Sequence, residues 1–128
     1  MPNRRLKIFF DGGCQPNPGL MQAAVVARGV THYFPGLGTG TNNDAEWLAL
    51  IAALRVAQSL DVQEFVLVGD SAVVINQANG VWKCRTAALQ AHLEQFEAMA
   101  GFRPRQIRKV GRSQNLAGIA LEKINRSA

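Results

Sequence analysis

The sequence lacks the features of exported, membrane-spanning and zinc-binding proteins. Its 128 residues include only 2 cysteines, which have the spacing neither of zinc ligands nor of a disulfide framework. No apolar run approaches the roughly 20 residues that a membrane-spanning helix needs, and no signal-type apolar segment follows the amino terminus. Charged residues make up only 18% of the chain and hydrophobic residues 48%, which excludes a disordered chain. We therefore expect one soluble, cytoplasmic domain over residues 1–128, without membrane association.

Basic residues exceed acidic residues, and they are concentrated towards the carboxyl terminus. The net charge is +5, from 14 Lys and Arg against 9 Asp and Glu. Residues 103–112 contain five basic residues and no acidic one, and Lys83 and Arg85 form a smaller pair. Such a surface is the expected footprint of a nucleic-acid backbone. A solvated face that only aids solubility has the same composition.

Apolar runs and turn signals predict an opening antiparallel meander. Residues 6–10 form an apolar strand that Asp11 and the turn signal Gly12-Gly13 end. Two short strands, 23–27 and 31–34, then enclose Arg28-Gly29 as in a hairpin. Asp11 would stand at the carboxyl end of a central strand, where ligands bind in open α/β sheets. Taken alone, Asp11-Gly12 is more typical of a plain turn.

Helices and strands alternate through the rest of the chain. A largely buried helix is predicted from Asp44 to about Leu60, followed by a buried strand over 64–69. Because a helical crossover leads to this strand, it should lie parallel to the first one. Trp82, in the following loop, can be either a core residue or a stacking platform. The later elements are a short helix at 71–76, a longer helix at about 86–100, a strand at 106–110 and a final helix from about 113 to 124.

Three acidic residues fall where these elements converge. Asp11 and Asp70 would follow adjacent parallel strands, which lie about 4.8 Å apart, and Glu46 lies in the first turn of the crossover helix. Each also has an ordinary explanation: a turn for Asp11, a capping box with Asn43 for Glu46, and an N-cap for Asp70. Their convergence on one crevice favours a single site. Clustered carboxylates without His or Cys are typical of a magnesium or manganese site.

The predicted cation site and the basic surface together suggest phosphoryl chemistry. The sequence contains no Gly-x-x-x-x-Gly-Lys-Ser/Thr loop, which argues against a nucleotide triphosphatase. A nucleic-acid backbone, cleaved with the help of divalent cations, remains the best substrate class.

Three motifs resemble those of the type 1 ribonucleases H, and the resemblance covers essentially the whole chain. They are the segments 11–19 (Asp-Gly-Gly-Cys-Gln-Pro-Asn-Pro-Gly), 41–46 (Thr-Asn-Asn-Asp-Ala-Glu) and 69–71 (Gly-Asp-Ser). The resemblance implies an α/β fold whose mixed five-stranded sheet has the order 3-2-1-4-5, with strand 2 antiparallel and helices on both faces. It also implies metal-dependent cleavage of the RNA strand of RNA–DNA hybrids, with catalytic metal ligands at Asp11, Glu46 and Asp70.

The same resemblance implies a set of substrate contacts. The residues assigned to the hybrid are Cys14, Asn17, Thr41, Asn43, Trp82 and Lys83. Cys14, Asn17 and Asn43 would lie along the minor groove, where 2′-hydroxyls distinguish RNA from DNA. Thr41 would hold a phosphate of the DNA strand, and the last two residues would contact that strand elsewhere. No protein partner is implied, and we expect a monomer.

The fourth motif departs from the family pattern. An aspartate should follow Asn115 by four positions, which is Ile119, or Gly118 if the register slips by one, and neither residue can bind a metal. Glu122, one turn further along the predicted helix, could reach back towards the site. The histidine that some members carry before this helix has no counterpart between residues 110 and 118.

These departures leave two main hypotheses. The first is a ribonuclease H-like enzyme with three metal ligands and impaired or manganese-dependent activity. The second is a non-catalytic module of the same fold that binds hybrid or double-stranded nucleic acid. A flavodoxin-like ligand-binding domain fits less well, because the opening hairpin does not suit an all-parallel sheet.

Overall fold

A mixed β-sheet with helices on both faces organises the chain. The computed structural model describes residues 5–99 and 103–127. The strands are β1 (Leu6–Cys14), β2 (Gly19–Ala27), β3 (Val30–Phe34), β4 (Thr39–Gly40), β5 (Phe65–Gly69) and β6 (Gln106–Lys109). The helices are α1 (Asn42–Ser59), α2 (Ala72–Ala78), α3 (Ala87–Ala98) and α4 (Leu116–Ser127), and a short 3₁₀ turn at Arg112–Gln114 precedes α4.

The predicted sheet topology is confirmed. The strands lie in the order β3-β2-β1-β5-β6, with the two-residue strand β4 paired to β2 outside this row. β2 is antiparallel to β1 and β3, whereas β5 is parallel to both β1 and β6. Without β4, this is the order 3-2-1-4-5 that the sequence resemblance implied. α1 connects β4 to β5 and brings β5 beside β1 in the parallel direction.

The end of β1 differs from the prediction. The strand does not stop at Gly12-Gly13 but continues to Cys14, and Asp11 pairs with Ala24 of β2. A Cβ atom at position 12 would clash with the backbone carbonyl of Ala45, so the glycine allows the start of α1 to pack directly on β1. The interpretation of Asp11-Gly12 as a plain turn is therefore wrong.

The N-caps of α1 and α2 also differ from the alternatives that the sequence left open. The Thr41 hydroxyl accepts a hydrogen bond from the Asp44 N–H, and the Thr41 N–H and hydroxyl donate to Asp44 Oδ2 at 3.1 and 2.9 Å. The capping box thus joins Thr41 to Asp44 rather than Asn43 to Glu46. Ser71, not Asp70, caps α2. Neither Glu46 nor Asp70 is used as a cap.

The main core lies between the sheet and α1. As predicted, α1 is buried nearly all round, with Trp47, Leu50 and Leu54 packed in the same cluster as Ile8 and Phe10 of β1. On the opposite face of the sheet, α4 packs a smaller cluster against β2. This two-sided packing holds the strand ends of β1 and β5 between α1 and α4.

Several later elements shift in their bounds. The helix predicted to begin at 113 or 114 starts at Leu116, after the 3₁₀ turn, and the predicted end of α3 at Ala100 lies outside the described residues. Trp82 is 49% exposed, so its interpretation as a core residue is wrong. Within residues 5–99 and 103–127, none of the helices combines the length and hydropathy that a membrane span needs.

Candidate active site

Three carboxylates meet where the parallel pairing of β1 with β5 ends. Phe9 pairs with Val68 across these parallel strands, and Asp11 and Asp70 each lie two residues further on. Glu46 reaches the same place from the first turns of α1, because the glycine at position 12 lets this helix approach. One carboxylate oxygen from each of Asp11, Glu46 and Asp70 lies within 4.8 Å of the other two. We call these three residues the carboxylate cluster.

Crowding changes the protonation of the carboxylate cluster. Burial and the charge of Asp70 raise the pKa of Asp11 from 3.8 to about 7, against the opposing effects of the Arg112 guanidinium and a hydrogen bond from Glu46. Burial and the charge of Asp11 raise the pKa of Glu46 from 4.5 to about 9, although the Gly12 N–H donates to Glu46 Oε1 at 3.0 Å. The cation-free cluster therefore retains protons at neutral pH.

Asn115 is a buried polar residue that orients Asp70. Its side chain has no solvent exposure. The Nδ2 atom donates to Asp70 Oδ2 at 2.9 Å and to the Phe10 carbonyl at 3.0 Å, while Oδ1 accepts from the Ala117 N–H at 3.2 Å. Asn115 thus fixes one carboxylate and connects it to β1 and to the start of α4. The sequence analysis used this asparagine only to locate the missing aspartate and did not predict its contacts.

Gly118 is the position of α4 that faces the carboxylate cluster. A Cβ atom there would lie 3.6 Å from Asp11 Oδ2 and 3.6 Å from Asp70 Oδ2, which is ordinary van der Waals distance. Ile119 is 46% exposed and lines the same cavity further out. Glu122 also lines the cavity, but it is not part of the group of possible metal ligands among the described residues. Of the two positions that the fourth motif left open, Gly118 is the one directed at the cluster.

The cluster lies in a cavity of about 800 Å³ between the β1–β2 hairpin and α4. Cys14 lines it at the end of β1, and Arg112 and Arg126 contribute positive charge to its walls. Acidic and basic groups therefore share one cavity. Such a cavity can bind a divalent cation and an anionic ligand side by side.

Two of the predicted minor-groove residues lie beside the cavity in a hydrogen-bonded loop. The Cys14 thiol lies 3.5 Å from Asn17 Oδ1 and 3.4 Å from Asn42 Oδ1, and it is buried. Asn17 Oδ1 also accepts from the Asn42 N–H at 3.1 Å, and Asn42 Oδ1 accepts from the Cys14 N–H. Asn42, which the sequence analysis did not single out, therefore joins the 14–19 loop to the start of α1. Asn43 is exposed next to it.

The remaining predicted contacts lie away from the carboxylate cluster. Thr41 is exposed, and its hydroxyl and N–H both donate to Asp44. Trp82 and Lys83 border a second hollow of about 570 Å³, together with Arg85 of the smaller basic pair. The structure thus separates the predicted substrate contacts into two surfaces, one beside the cluster and one on the loop before α3.

A second group of polar residues holds α2 and α3 against α1. The sequence analysis did not predict these contacts either. His92 Nε2 lies 3.0 Å from Asp44 Oδ1, and its ring stacks on Trp47 with a centroid distance of 6.4 Å. The Trp47 indole N–H donates to Gln77 Oε1 at 2.9 Å. Burial opposes ionisation of Asp44, but hydrogen bonds from the Thr41 backbone and hydroxyl and from His92 lower its pKa below 3.8. These contacts fix the start of α1, which carries Glu46.

The chain is similar in sequence to one protein-family model and to several curated proteins. The reverse transcriptase-like family matches residues 9–123. Ribonuclease HI of Halobacterium salinarum is 33% identical over 123 residues, which cover 91% of this chain and 62% of that protein. A bifunctional protein of Mycobacterium tuberculosis is 32% identical over 118 residues, which cover 87% of this chain and 32% of that protein. The chain thus spans less than two thirds of the length of these curated relatives.

Solved structures agree with the sequence comparisons. The crystal structure of ribonuclease H1 from Halobacterium salinarum has a TM-score of 0.85 at 30% identity and covers 98% of this chain and 100% of that chain. LC11 ribonuclease H1 in complex with an RNA/DNA hybrid has a TM-score of 0.75 at 26% identity, with 96% of this chain and 99% of that chain covered. The fold, the sequence match and the sheet topology agree, and the chain belongs to the ribonuclease H family.

Proposed function

We propose that this protein is a metal-dependent endoribonuclease that hydrolyses the RNA strand of RNA–DNA hybrids. The observation that carries the proposal is the meeting of three carboxylates, with ligand oxygens within 4.8 Å of one another, where the pairing of two parallel strands ends. The likeness to a ribonuclease H1 in complex with an RNA/DNA hybrid supports the choice of substrate. Asp11, Glu46 and Asp70 are the proposed catalytic metal ligands.

The donor set of the carboxylate cluster fits Mg²⁺ or Mn²⁺. All three groups offer hard carboxylate oxygens, and no His or Cys belongs to the group among the described residues. The raised pKa values of Asp11 and Glu46 support the same conclusion, because a divalent cation would replace the protons that burial and mutual repulsion force onto these groups. When bound, such a cation lowers the pKa of an attacking water and neutralises charge on the phosphate.

The chain's own residues hold the proposed ligands in fixed orientations. Asn115 donates to Asp70, and the Gly12 N–H donates to Glu46. Arg112 lies near enough to Asp11 to lower its pKa and can neutralise a phosphate oxygen at the cavity wall. Because Gly118 supplies no ligand, we expect activity to be weaker than with four carboxylates, or to depend on manganese.

The proposed hybrid contacts follow the two surfaces. Cys14, Asn17 and Asn43 would contact the minor groove beside the cavity, and Trp82 and Lys83 would contact the DNA strand across the second hollow. Thr41 would have to exchange its hydrogen bond to Asp44 for one to a phosphate. The carboxylate cluster and its cavity come from one chain, so the proposal needs no second copy. The monomeric state and cytoplasmic location stay predictions.

A second candidate function follows from the missing fourth carboxylate. A non-catalytic module would bind hybrid or double-stranded nucleic acid with the same surfaces and use the three acids for structure alone. The observation that favours it is Gly118, which faces the cluster without a side chain.

Cleavage of a hybrid labelled on its RNA strand separates the two functions. The parent protein should produce RNA fragments in Mn²⁺ or Mg²⁺ and leave the DNA strand intact. Asp70→Asn should remove this activity without loss of the folded structure, and Asp61→Asn, at an exposed turn, is the matched control. Hybrid binding without any cleavage at high protein concentration would favour the non-catalytic module.

A further inference from the structure

The cavity extends beyond the carboxylate cluster along one face of α4. Gly118, Glu122 and Asn125 line this wall at intervals of four and three residues, which places them on one side of the helix. Gln22 of β2 lines the cavity next to Asn125. At 1.5 Å per residue, Asn125 lies about 10 Å along the helix from Gly118. The cavity therefore has one end at the carboxylates and another at the last turns of α4.

The far end of the cavity presents hydrogen-bond donors. Gln22 Nε2 donates to Asn125 Oδ1 at 2.9 Å, and the Tyr33 hydroxyl donates to Gln22 Oε1 at 2.9 Å. Both amide oxygens are thus occupied. Asn125 Nδ2 has no protein acceptor in the part of the chain that the structure describes. This leaves an oriented amide donor at the cavity wall.

Positive charge accompanies this donor. Arg126 lines the same end of the cavity and forms no ion pair with any described residue, although Glu122 lies one turn before it. A guanidinium beside an amide N–H is a combination that binds phosphate oxygens. The near end of the cavity is acidic and suits a cation, so the two ends differ in charge.

We propose that Gln22, Asn125 and Arg126, which we call the α4 subsite, bind a backbone phosphate of the cleaved strand that flanks the scissile phosphate. The proposal rests on the proposed function, because it places the scissile phosphate at the carboxylate cluster. Gly118 leaves the space between the carboxylate cluster and the α4 subsite open, because any side chain at this position would begin 3.6 Å from Asp11 Oδ2 and Asp70 Oδ2. Asn125 and Arg126 contact the flanking phosphate, and Gln22 positions Asn125.

The first test is the salt dependence of hybrid binding. A fluorescent RNA–DNA hybrid is titrated in EDTA at several salt concentrations with the parent, Arg126→Gln and Lys123→Gln. Lys123 lies on the same helix and is exposed, but it does not line the cavity, so its variant is a matched control for the lost charge. Loss of one phosphate contact lowers the slope of log K against log salt by about 1, which is roughly a threefold change between 50 and 200 mM.

Arg126→Gln should lower this slope, and Lys123→Gln should leave it near the parent value. Equal slopes for both variants would overturn the α4 subsite, whether both changed or neither did. If the charge of Arg126 only stabilised the end of α4, Arg126→Gln would lower the stability of the helix instead. Thermal unfolding of the two variants detects that effect separately.

The second test locates the contact on the strand. Hybrids in which one RNA phosphate at a time is a neutral methylphosphonate are cleaved by the parent and by Arg126→Gln. At one position near the scissile bond, the methylphosphonate should raise the KM of the parent as much as Arg126→Gln raises the KM for the unmodified hybrid. The methylphosphonate and the substitution together should raise KM no further. An additive effect at every position would contradict the proposal.

The outcomes distinguish this proposal from the function on which it rests. Hybrid binding with the expected slope change but without cleavage would refute the nuclease and keep a phosphate contact at the α4 subsite. Cleavage with an unchanged slope for Arg126→Gln would refute the subsite alone. Absence of hybrid binding by the parent would refute both.

Discussion

Replacement of Glu46 with glutamine should stabilise the metal-free protein at neutral pH. Glu46 accepts a hydrogen bond from the Gly12 N–H, and burial together with the charge of Asp11 raises its pKa to about 9. Glutamine keeps the acceptor oxygen for Gly12, and its amide nitrogen can donate to Asp11. Glutamine is neutral at every pH, so the folded variant does not need to take up the proton that Glu46 binds at neutral pH.

The size of the effect follows from proton linkage. Because the pKa of Glu46 is higher in the folded protein than its ordinary value of 4.5, the folded state binds more protons and the free energy of unfolding falls as pH rises between these values. Each pH unit in this range costs about 1.4 kcal/mol. The cost at pH 7 is therefore about 3 kcal/mol, which corresponds to roughly 10 °C in Tm for a domain of this size.

Urea denaturation in EDTA between pH 4.5 and 8 measures this difference. The advantage of Glu46→Gln over the parent should grow from near zero at pH 4.5 to about 3 kcal/mol at pH 7. Glu94→Gln, at an exposed position of α3, controls for the loss of one negative charge. Excess Mn²⁺ should reverse the order, because the parent then gains stability by binding the cation.

The reasoning would be refuted by a Glu46→Gln variant that is less stable than the parent in EDTA at pH 7. A stability difference that does not change with pH would also refute it. Either result would mean that burial and the charge of Asp11 do not raise the pKa of Glu46 in the folded protein.

Three further predictions concern the surroundings of the carboxylate cluster. Gly118→Asp should bind Mn²⁺ about tenfold or more tightly than the parent and cleave the hybrid faster, because its Cβ would lie 3.6 Å from Asp70 Oδ2. Ile119→Asp should gain less in both respects. Calorimetry and cleavage rates measure the two gains, and equal gains at the two positions would contradict the prediction. Asn115→Ala should lower the free energy of unfolding by about 1–3 kcal/mol and weaken Mn²⁺ binding, since it leaves the Phe10 carbonyl without its donor; unchanged urea midpoints would speak against this. Asp44→Ala should cost about 1 kcal/mol at pH 7 through the lost capping box. Because the folded pKa of Asp44 lies below 3.8, that cost should disappear only as pH falls through it, and a cost that disappears at higher pH would contradict the assignment.

The general position of the site could be predicted from the sequence. A helical crossover before the second buried strand predicts that this strand lies parallel to the first, and Asp11 and Asp70, at the corresponding ends of the two apolar runs, are then expected to lie close together. The position of Glu46 in the first turns of the crossover helix also follows from chain order. The antiparallel meander of the first three strands also follows from apolar runs and turn signals, whereas the full strand order came from the family resemblance.

The local details depend on tertiary contacts that no short pattern contains. Both Thr41 with Asp44 and Asn43 with Glu46 have the spacing of a capping box, and packing of α1 on Gly12 decides between them. The glycines of β1 have turn propensity, yet pairing with β2 keeps them in the strand.

The contacts of the final motif were also beyond sequence reasoning. Asn115 bonds to residues 105 and 45 positions earlier in the chain, which local sequence cannot indicate. α4 begins after a 3₁₀ turn and directs Gly118, rather than Ile119, at the carboxylate cluster.

The most direct measurement of the central claim is calorimetric titration of the protein with Mn²⁺ at pH 7 in buffers of different ionisation enthalpy. If the carboxylate cluster binds the cation, the parent should bind Mn²⁺ and release about one proton or more, because burial and mutual repulsion raise the pKa values of Asp11 and Glu46 to about 7 and about 9. Asp70→Asn should bind much more weakly. Absence of Mn²⁺ binding by the parent, or binding without proton release that Asp70→Asn leaves unchanged, would contradict the account.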